Sequence, residues 1–326
     1  MRILIVSSID PETIDKLSVQ HTVTCAFNIS EPELLEQIRD NEVLIFRSGV
    51  TISRRVLEVA PKLRLIIRAG SGFENIDLEE MNRRNIPLLR FPKPSAQAVA
   101  ELTFAHMLGL ARNVRLADSL LRKGHWAKHD LENFLIAGKT IGIVGVGNIG
   151  ARVGELGVAW GMQAIGCVEH ESLASRAQEL KNRGIELMPF DKIVPQADFL
   201  TIHVPLSDST RGLINGKVLA NMKVGSYLIN MARGGVVDEA ALYEALTTGG
   251  RLRGAGLDVH ENEGPGKLSP LRELPNVILT PHIGATTKDT QREIGRQILE
   301  ALERYQSEGK IDDVAADARP VNMAIA

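Results

Sequence analysis

At 326 residues the chain is too long for one ordinary core and fits two domains of roughly 100–200 residues each. Hydrophobic residues at 44%, charged residues at 24% and a formal net charge of -2 describe a soluble globular protein, excluding extended disorder and any basic field suited to nucleic acid. Two cysteines, Cys25 and Cys167, exclude a disulfide framework or a cysteine-built metal site, so we expect a cytoplasmic protein with small-molecule partners and no metal.

The opening MRILIVSSID carries an apolar run shorter than the ~7–15 residues of a secretion signal and far below the ~20 of a membrane span. It reads as a first buried strand. Further Val/Ile/Leu-rich runs follow at 43–47, 64–68, 140–147, 199–204, 226–231 and 276–280. They lack strict alternation, as expected of parallel strands buried on both faces. Helix candidates lie between or after them: PELLEQI, NIGARVGELGVAWG, DEAALYEALTTGG and KDTQREIGRQILEALERYQ. The stretch 96–121 contains no Pro or other stop and predicts one long helix connecting two domains.

This alternation defines an α/β class with two doubly wound domains. The glycine motif at Gly145 arrives only after four or five β/α units, and the final helix returns after the last strand of the motif's domain. We therefore expect a Rossmann dinucleotide-binding domain over 99–283, inserted into a smaller flavodoxin-like substrate domain made of 1–98 and 284–326.

TIGIVGVGNIGARVGEL places GxGxxG directly between a strand pattern and an amphipathic helix. Gly145 allows the tight turn, Gly147 the approach of a pyrophosphate, and Gly150 close packing of helix on strand. The N–H groups of Asn148 and Ile149 would face the phosphates. An acidic residue about 20 positions on should hold the ribose hydroxyls, and Glu169 fills that place. The reading favours NAD, while His170 and Arg176 keep NADP open.

Three later segments combine strand ends with polar residues: INMARGGVVDE, GLDVHENEGP and LTPHIGATT. In doubly wound sheets ligands bind at such ends, which makes Arg233, Glu263 and His282 candidates for one site. A guanidinium can fork onto a substrate carboxylate and stabilise an alkoxide developing at C2. An imidazole exchanges that alkoxide's proton near neutral pH, and a carboxylate beside it favours its charged form and fixes its tautomer.

RAGSGFENID, VAELTFAHMLGLAR, GIVGVGNIG, HVPLSDSTRGLIN, NMARGGVVDE, GLDV and LTPHIGATT occur in this order over nearly the whole chain. In these the sequence resembles the D-isomer-specific 2-hydroxyacid dehydrogenase family, and more closely its phosphoglycerate dehydrogenase-like branch. The resemblance implies that Arg233, Glu263 and His282 form the family's Arg/Glu/His triad, and that Ser71 and Gly72 present backbone N–H groups to the substrate carboxylate. It implies that Val204, Ala232 and Asp258 line the nicotinamide side, with His203 and Thr210 nearby and Gly284 also on the cofactor, and that the protein is a homodimer. Arg47, Arg68 and Lys128 fall where it puts substrate-facing residues and could bind a phosphate. Two departures from the family pattern are Val168 in place of the acidic residue that usually follows the second strand's Gly-aromatic pair, and a loop with His260 where an aromatic is usual and Gly264 between Glu263 and Pro265 where the Glu commonly abuts Pro, which makes Glu261 a rival for the carboxylate because the loop register is open.

The expected function is hydride transfer between NAD(H) and C2 of a D-2-hydroxy or 2-oxo acid, with 3-phosphoglycerate and 3-phosphohydroxypyruvate the first choice of substrate. Glyoxylate, hydroxypyruvate or D-lactate chemistry would need the same residues. A NAD(H)-sensing, corepressor-like binding protein is the alternative of another class. After the final helix we expect no room for an appended regulatory module.

Overall fold

Apolar through their centres, with charge only at their ends, the short runs are satisfied inside a layered α/β structure. In a computed structural model describing residues 1–168, 174–248 and 251–308, they form two separate parallel sheets. The chain divides into one unit of Met1–Ser95 with the described residues from Ala285 onward, and a second unit of Ala96–Gly284.

The first unit runs β1 (Arg2–Ile5), α1 (Pro11–Gln20), β2 (Thr22–Cys25), α2 (Glu31–Gln37), β3 (Val43–Phe46), α3 (Arg54–Glu58), β4 (Leu65–Arg68), α4 (Leu78–Arg83) and β5 (Leu88–Arg90). Its strand order is β2-β1-β3-β4-β5, the flavodoxin-like order, with every pairing parallel. One face buries Leu4, Leu44, Phe46 and Ile66 with Val56 and Leu57 of α3. The other buries Ile3, Ile5, Ile45 and Ile67 with Ile294, Ile298 and Leu302 from the last helix of the chain. Local sequence sets the helix starts: Asp10 caps α1 through Thr13 N–H, and Ser30 with Glu33 forms a capping box on α2.

The second unit begins within α5 (Pro92–Ala111) and continues with α6 (Val114–Arg122), β6 (Thr140–Val144), α7 (Asn148–Ala159), β7 (Gln163–Cys167), α8 (Ala174–Asn182), β8 (Ile185–Leu187), α9 (Phe190–Ile193) and β9 (Phe199–Ile202). After them come α10 (Gly216–Asn221), β10 (Ser226–Asn230), α11 (Glu239–Thr247), β11 (Leu252–Leu257) and β12 (Val277–Leu279); α12 (Lys288–Glu308) then belongs to the first unit. The strand order β12-β11-β10-β9-β6-β7-β8 is all parallel and reverses direction at β6/β9. This is a Rossmann sheet, whose switch point is the natural ligand crevice.

One expectation needs correcting. Residues 96–121 are not a single helix: α5 ends at Ala111 and α6 starts at Val114. Between them Asn113 adopts a left-handed conformation at φ 47°, with its side-chain amide donating to the Glu132 carbonyl. Asn tolerates this conformation better than most residues, so a helix can stop there without Pro or Gly.

In α12, a Cβ at Gly295 would overlap Thr13 Oγ1 of α1, so the missing side chain lets the returning helix lie directly on the first. No described helix is long and apolar enough to cross a membrane.

Candidate functional site

At the switch point, β6 ends and the chain turns through Gly145 at φ 93°. A Cβ there would sit 2.7 Å from Val204 Cγ1 and 2.8 Å from the His203 carbonyl oxygen, so the turn needs glycine for conformation and for space. Gly150 is equally constrained, since its Cβ would overlap the Gly145 carbonyl. Gly147 differs: nothing lies within 4 Å of a Cβ built on it. It caps α7 without a side-chain hydrogen bond, leaving the N–H end of that helix, with Asn148 and Ile149 in its first turn, facing open space. An anionic pyrophosphate fits this cradle of small residues and helix N-terminus. Glu169 and His170 lie outside the described residues. Arg176, one of the two residues that kept NADP open, pairs with Glu179 within α8 at 3.7 Å.

The turn after β9 is held from inside. His203 Nε2 lies 2.8 Å from Thr201 Oγ1, and burial pushes this imidazole down to about 3, keeping it neutral. Thr210 is buried and ties Ser207 N–H to the Pro205 carbonyl through its hydroxyl. After β10, Ala232 N–H donates to Asn230 Oδ1, while Asn230 Nδ2 donates to the Arg233 carbonyl. A single asparagine thus shapes the loop carrying Arg233, whose Nη1 donates to the Ala232 carbonyl at 2.7 Å. The next residue explains why glycine follows: a Cβ at Gly234 would overlap the His260 carbonyl. The Arg233 loop is thereby set against the backbone three residues before Glu263.

His282 follows β12 at φ 54°, an uncommon conformation for a residue with a Cβ. Its N–H donates to the Asp258 carbonyl at 2.7 Å. The Asp258 side chain, almost fully buried, accepts from Thr280 Oγ1 (2.6 Å), Ile283 N–H (2.9 Å) and Gly284 N–H (2.7 Å). Asp258 and Gly284 therefore act locally as the anchor of the loop that presents His282.

His282 Nδ1 lies 2.9 Å from Glu263 Oε2, with the two side chains 38% and 39% exposed. Burial pushes the Glu263 carboxyl up, but the hydrogen bond and charge of His282 outweigh it, aided by the His260 N–H, and hold it below its ordinary range. Glu263 is thus ionised at neutral pH and acts as acceptor, so His282 carries a proton on Nδ1 and keeps Nε2 outside this contact. Glu261 is engaged elsewhere: its Oε1 accepts from Glu239 N–H, and its own N–H donates to Glu239 Oε1. Pro265, Leu268 and Pro281 line an open cavity of about 610 Å³ beside the pair.

In the first unit, Arg47 follows β3 and reaches Thr286 Oγ1 at 3.4 Å, on a cleft that Lys288 and Arg292 also line. Burial lowers its guanidinium below the ordinary range. Arg68 ends β4 only 9% exposed, its guanidinium 5.6 Å from the Phe46 ring centre and packed under Gly70. Ser71 and Gly72 follow it, with the Ser71 carbonyl accepting from Arg90 Nη1. Lys128, in the second unit, is exposed on the loop after α6.

Sequence reasoning missed two members of the second unit's network. His106, in the middle of α5, is buried with Nε2 3.1 Å from Thr280 Oγ1. Thr280 also accepts at its carbonyl from His260 Nε2 (2.9 Å) and His282 N–H (3.1 Å). The available signal was a lone imidazole inside the apolar run TFAHMLGLA.

Residues 104–284 match the family model of the D-isomer specific 2-hydroxyacid dehydrogenase NAD binding domain. The chain belongs to the D-isomer specific 2-hydroxyacid dehydrogenase family, and NAD(H) is the cofactor its nucleotide-binding unit is built to hold. It is 39% identical to a D-3-phosphoglycerate dehydrogenase of Methanocaldococcus jannaschii over 305 residues, covering 93% of this chain and 57% of that protein. It is also 37% identical to a hydroxypyruvate reductase of Thermotoga maritima over 277 residues, 84% of this chain and 88% of that one. Among solved structures, the TT0316 protein from Thermus thermophilus superimposes with a TM-score of 0.84 at 31% identity, covering 95% of this chain and 98% of that chain. The chain spans little more than half the length of the curated phosphoglycerate dehydrogenases it matches.

Proposed function

We propose that the protein is an NAD-dependent dehydrogenase of D-2-hydroxy acids, with the nucleotide site, Arg233 and the Glu263–His282 pair as its machinery. The observation that carries this reading is the 2.9 Å contact between a solvent-accessible imidazole and an ionised carboxylate on a Rossmann sheet. Gly145, Gly147 and Gly150, with the Asn148 and Ile149 N–H groups, hold the pyrophosphate; Glu169 takes the ribose; His203, Val204, Thr210, Ala232, Asp258 and Gly284 shape the nicotinamide side. NADH held by these residues would supply the hydride that a C2 carbonyl accepts. Arg233 binds the substrate carboxylate and stabilises negative charge developing on the C2 oxygen, and His282 Nε2 delivers the proton that oxygen needs. In the reverse direction the same nitrogen accepts it.

The finer assignment is 3-phosphohydroxypyruvate. Its support is the basic lining of the first unit's cleft, where partly desolvated Arg47 lies with Lys288 and Arg292, a setting that favours a multiply charged anion. We assign Arg47, Arg68 and Lys128 to the phosphate and Ser71 and Gly72 to the carboxylate. On this reading 1–98 and 284–326 serve as the substrate domain and 99–283 as the nucleotide domain.

A panel of 2-oxo acids with NADH and NADPH, followed by nicotinamide absorbance, tests this. We expect the highest kcat/KM with 3-phosphohydroxypyruvate, and NADH to bind about tenfold tighter than NADPH because Glu169 would oppose a 2′-phosphate. No turnover of any 2-oxo acid refutes the dehydrogenase, a preference for glyoxylate or hydroxypyruvate refutes the phosphate assignment, and equal NADPH binding removes Glu169 from its role.

We also propose a homodimer working in the cytoplasm. No residue of α6 is buried, Val114 and Leu121 lie exposed on it, and Trp126 beyond it is 79% exposed, an apolar surface that a monomer would leave in water. Two free cysteines suit a reducing compartment. Light scattering should give a dimer mass for the wild type and a monomer mass for Leu121→Asp/Trp126→Asp with unchanged circular dichroism. A wild-type monomer overturns the assembly.

A further inference from the structure

We propose that His106, buried on α5, is a positioning residue for His282, acting through Thr280 and Asp258 as a donor relay beneath the loop that carries the imidazole. The inference rests on the reading of His282 as the proton-transfer group.

The direction of each hydrogen bond follows from chemistry. Asp258 accepts from two backbone N–H groups, so it presents acceptor oxygens, and the short 2.6 Å bond from Thr280 Oγ1 must carry the threonine's only hydroxyl proton. Thr280 Oγ1 can then only accept at the 3.1 Å contact with His106, which fixes the proton of His106 on Nε2. The other ring nitrogen agrees with this tautomer. His106 Nδ1 is buried with no hydrogen-bond partner and faces the Gly256 backbone, where a Cβ would come within 2.6 Å of it. A second proton there would have no acceptor. Burial, opposed only by the nearby Asp258 charge, pushes the imidazole down to about 4.

The relay ends on the element that matters. Asp258 holds Ile283 and Gly284 through its carboxylate and His282 through its carbonyl, while the Thr280 carbonyl also accepts from His282 N–H. His282 itself sits at φ 54°, a conformation that persists only where its surroundings impose it. An apolar residue at 106 would leave the Thr280 hydroxyl without its donor and let the Thr280–Asp258 bond rotate, loosening both anchors of His282. A misplacement of about 1 Å in such a group can cost as much as 10²-fold in rate.

Three measurements on the full chain test the proposal. His106→Leu should lower kcat about tenfold with substrate and NADH binding changed less than about twofold, and His106→Gln, whose amide can donate to Thr280, should recover most of that loss. Nitrogen-15 NMR of the wild type, with the ring assigned by its disappearance in His106→Gln, should show a neutral Nε2–H imidazole that does not titrate between about pH 5 and 8. The downfield Nδ1–H proton of His282 should broaden or vanish in His106→Leu and persist in His106→Gln. Wild-type kcat in His106→Leu, equal losses in both variants, or a titrating or Nδ1–H ring at 106 overturns the relay. Should His106→Leu not fold, the tautomer and the activity of His106→Gln still decide. Absence of turnover in the wild type with the expected ring signals indicts the dehydrogenase reading, not the relay.

Discussion

Arg233→Ala should lower reductive kcat/KM on the order of 10³-fold, about 4 kcal/mol, with both kcat and KM affected. The guanidinium is asked to do two things: hold the carboxylate of the bound acid, which is a ground-state interaction, and stabilise charge that appears on the C2 oxygen only as hydride arrives. Removing it should therefore raise KM and depress kcat together. Structural collateral should be small, because beside the Arg233 Nη1 bond to the adjacent Ala232 carbonyl the loop is shaped by Asn230 contacts to the main chain at 232 and 233 and by the close approach of Gly234 to the His260 carbonyl, which do not use the Arg233 side chain. NADH affinity should change by less than about threefold. Arg233→Lys should recover only part of the loss, since a point charge cannot reproduce a fork onto a carboxylate. Steady-state kinetics with nucleotide titration by fluorescence separate these outcomes. An unchanged KM together with lost NADH affinity would move Arg233 from the substrate to the cofactor.

Much of the architecture is legible because buried parallel strands leave an unmistakable apolar signature. Two of the strands that escape it do so for identifiable reasons. β2 is a sheet edge with three of its four residues exposed, so TVTC shows no buried run. β11, LRGAGL, is dilute in apolar residues because Gly254 and Gly256 are pressed against the Asn276 carbonyl and the His106 ring, leaving no volume for side chains. The break at Asn113 is hidden because it needs neither Pro nor Gly, only an amide able to satisfy a distant carbonyl at Glu132.

At the site, the residue types and their order suggest a chemistry but not the pairings. Glu261 and Glu263 stand 21 and 19 positions before His282, a spacing that does not choose between them. They are separated in space by Glu239 at the start of α11, which exchanges hydrogen bonds with Glu261 and leaves Glu263 to the imidazole. The contact of His106 with Thr280 joins residues 174 positions apart, and no local pattern encodes it.

The pairing of His282 with Glu263 predicts opposite pH behaviour in the two reaction directions. Reduction requires the doubly protonated imidazole, so kcat/KM should fall as pH rises and His282 gives up its Nε2 proton, while oxidation should rise over the same interval. Glu263 is held below the ordinary carboxylate range, so it stays charged throughout this interval. Its own contribution to holding the loop is present at neutral pH and is lost only as pH falls through its depressed value. Glu263→Gln keeps a hydrogen-bond acceptor 2.9 Å from Nδ1 but removes the negative charge, so imidazolium is less favoured and the reductive limb should move to lower pH. Near neutral pH this should cost about tenfold in reduction, with a smaller effect on oxidation. His282→Asn should abolish the limb and lower the rate by about 10³-fold or more, leaving a residual reaction supported by Arg233 and nucleotide positioning. These profiles must be taken where hydride transfer limits turnover, which a primary isotope effect with deuterated NADH establishes, because slow conformational steps would mask the ionisation. With that condition met, a limb that stays in place in Glu263→Gln and moves in Glu261→Gln would transfer the carboxylate's role to Glu261, and would require the loop to leave its contacts with Glu239 during the reaction.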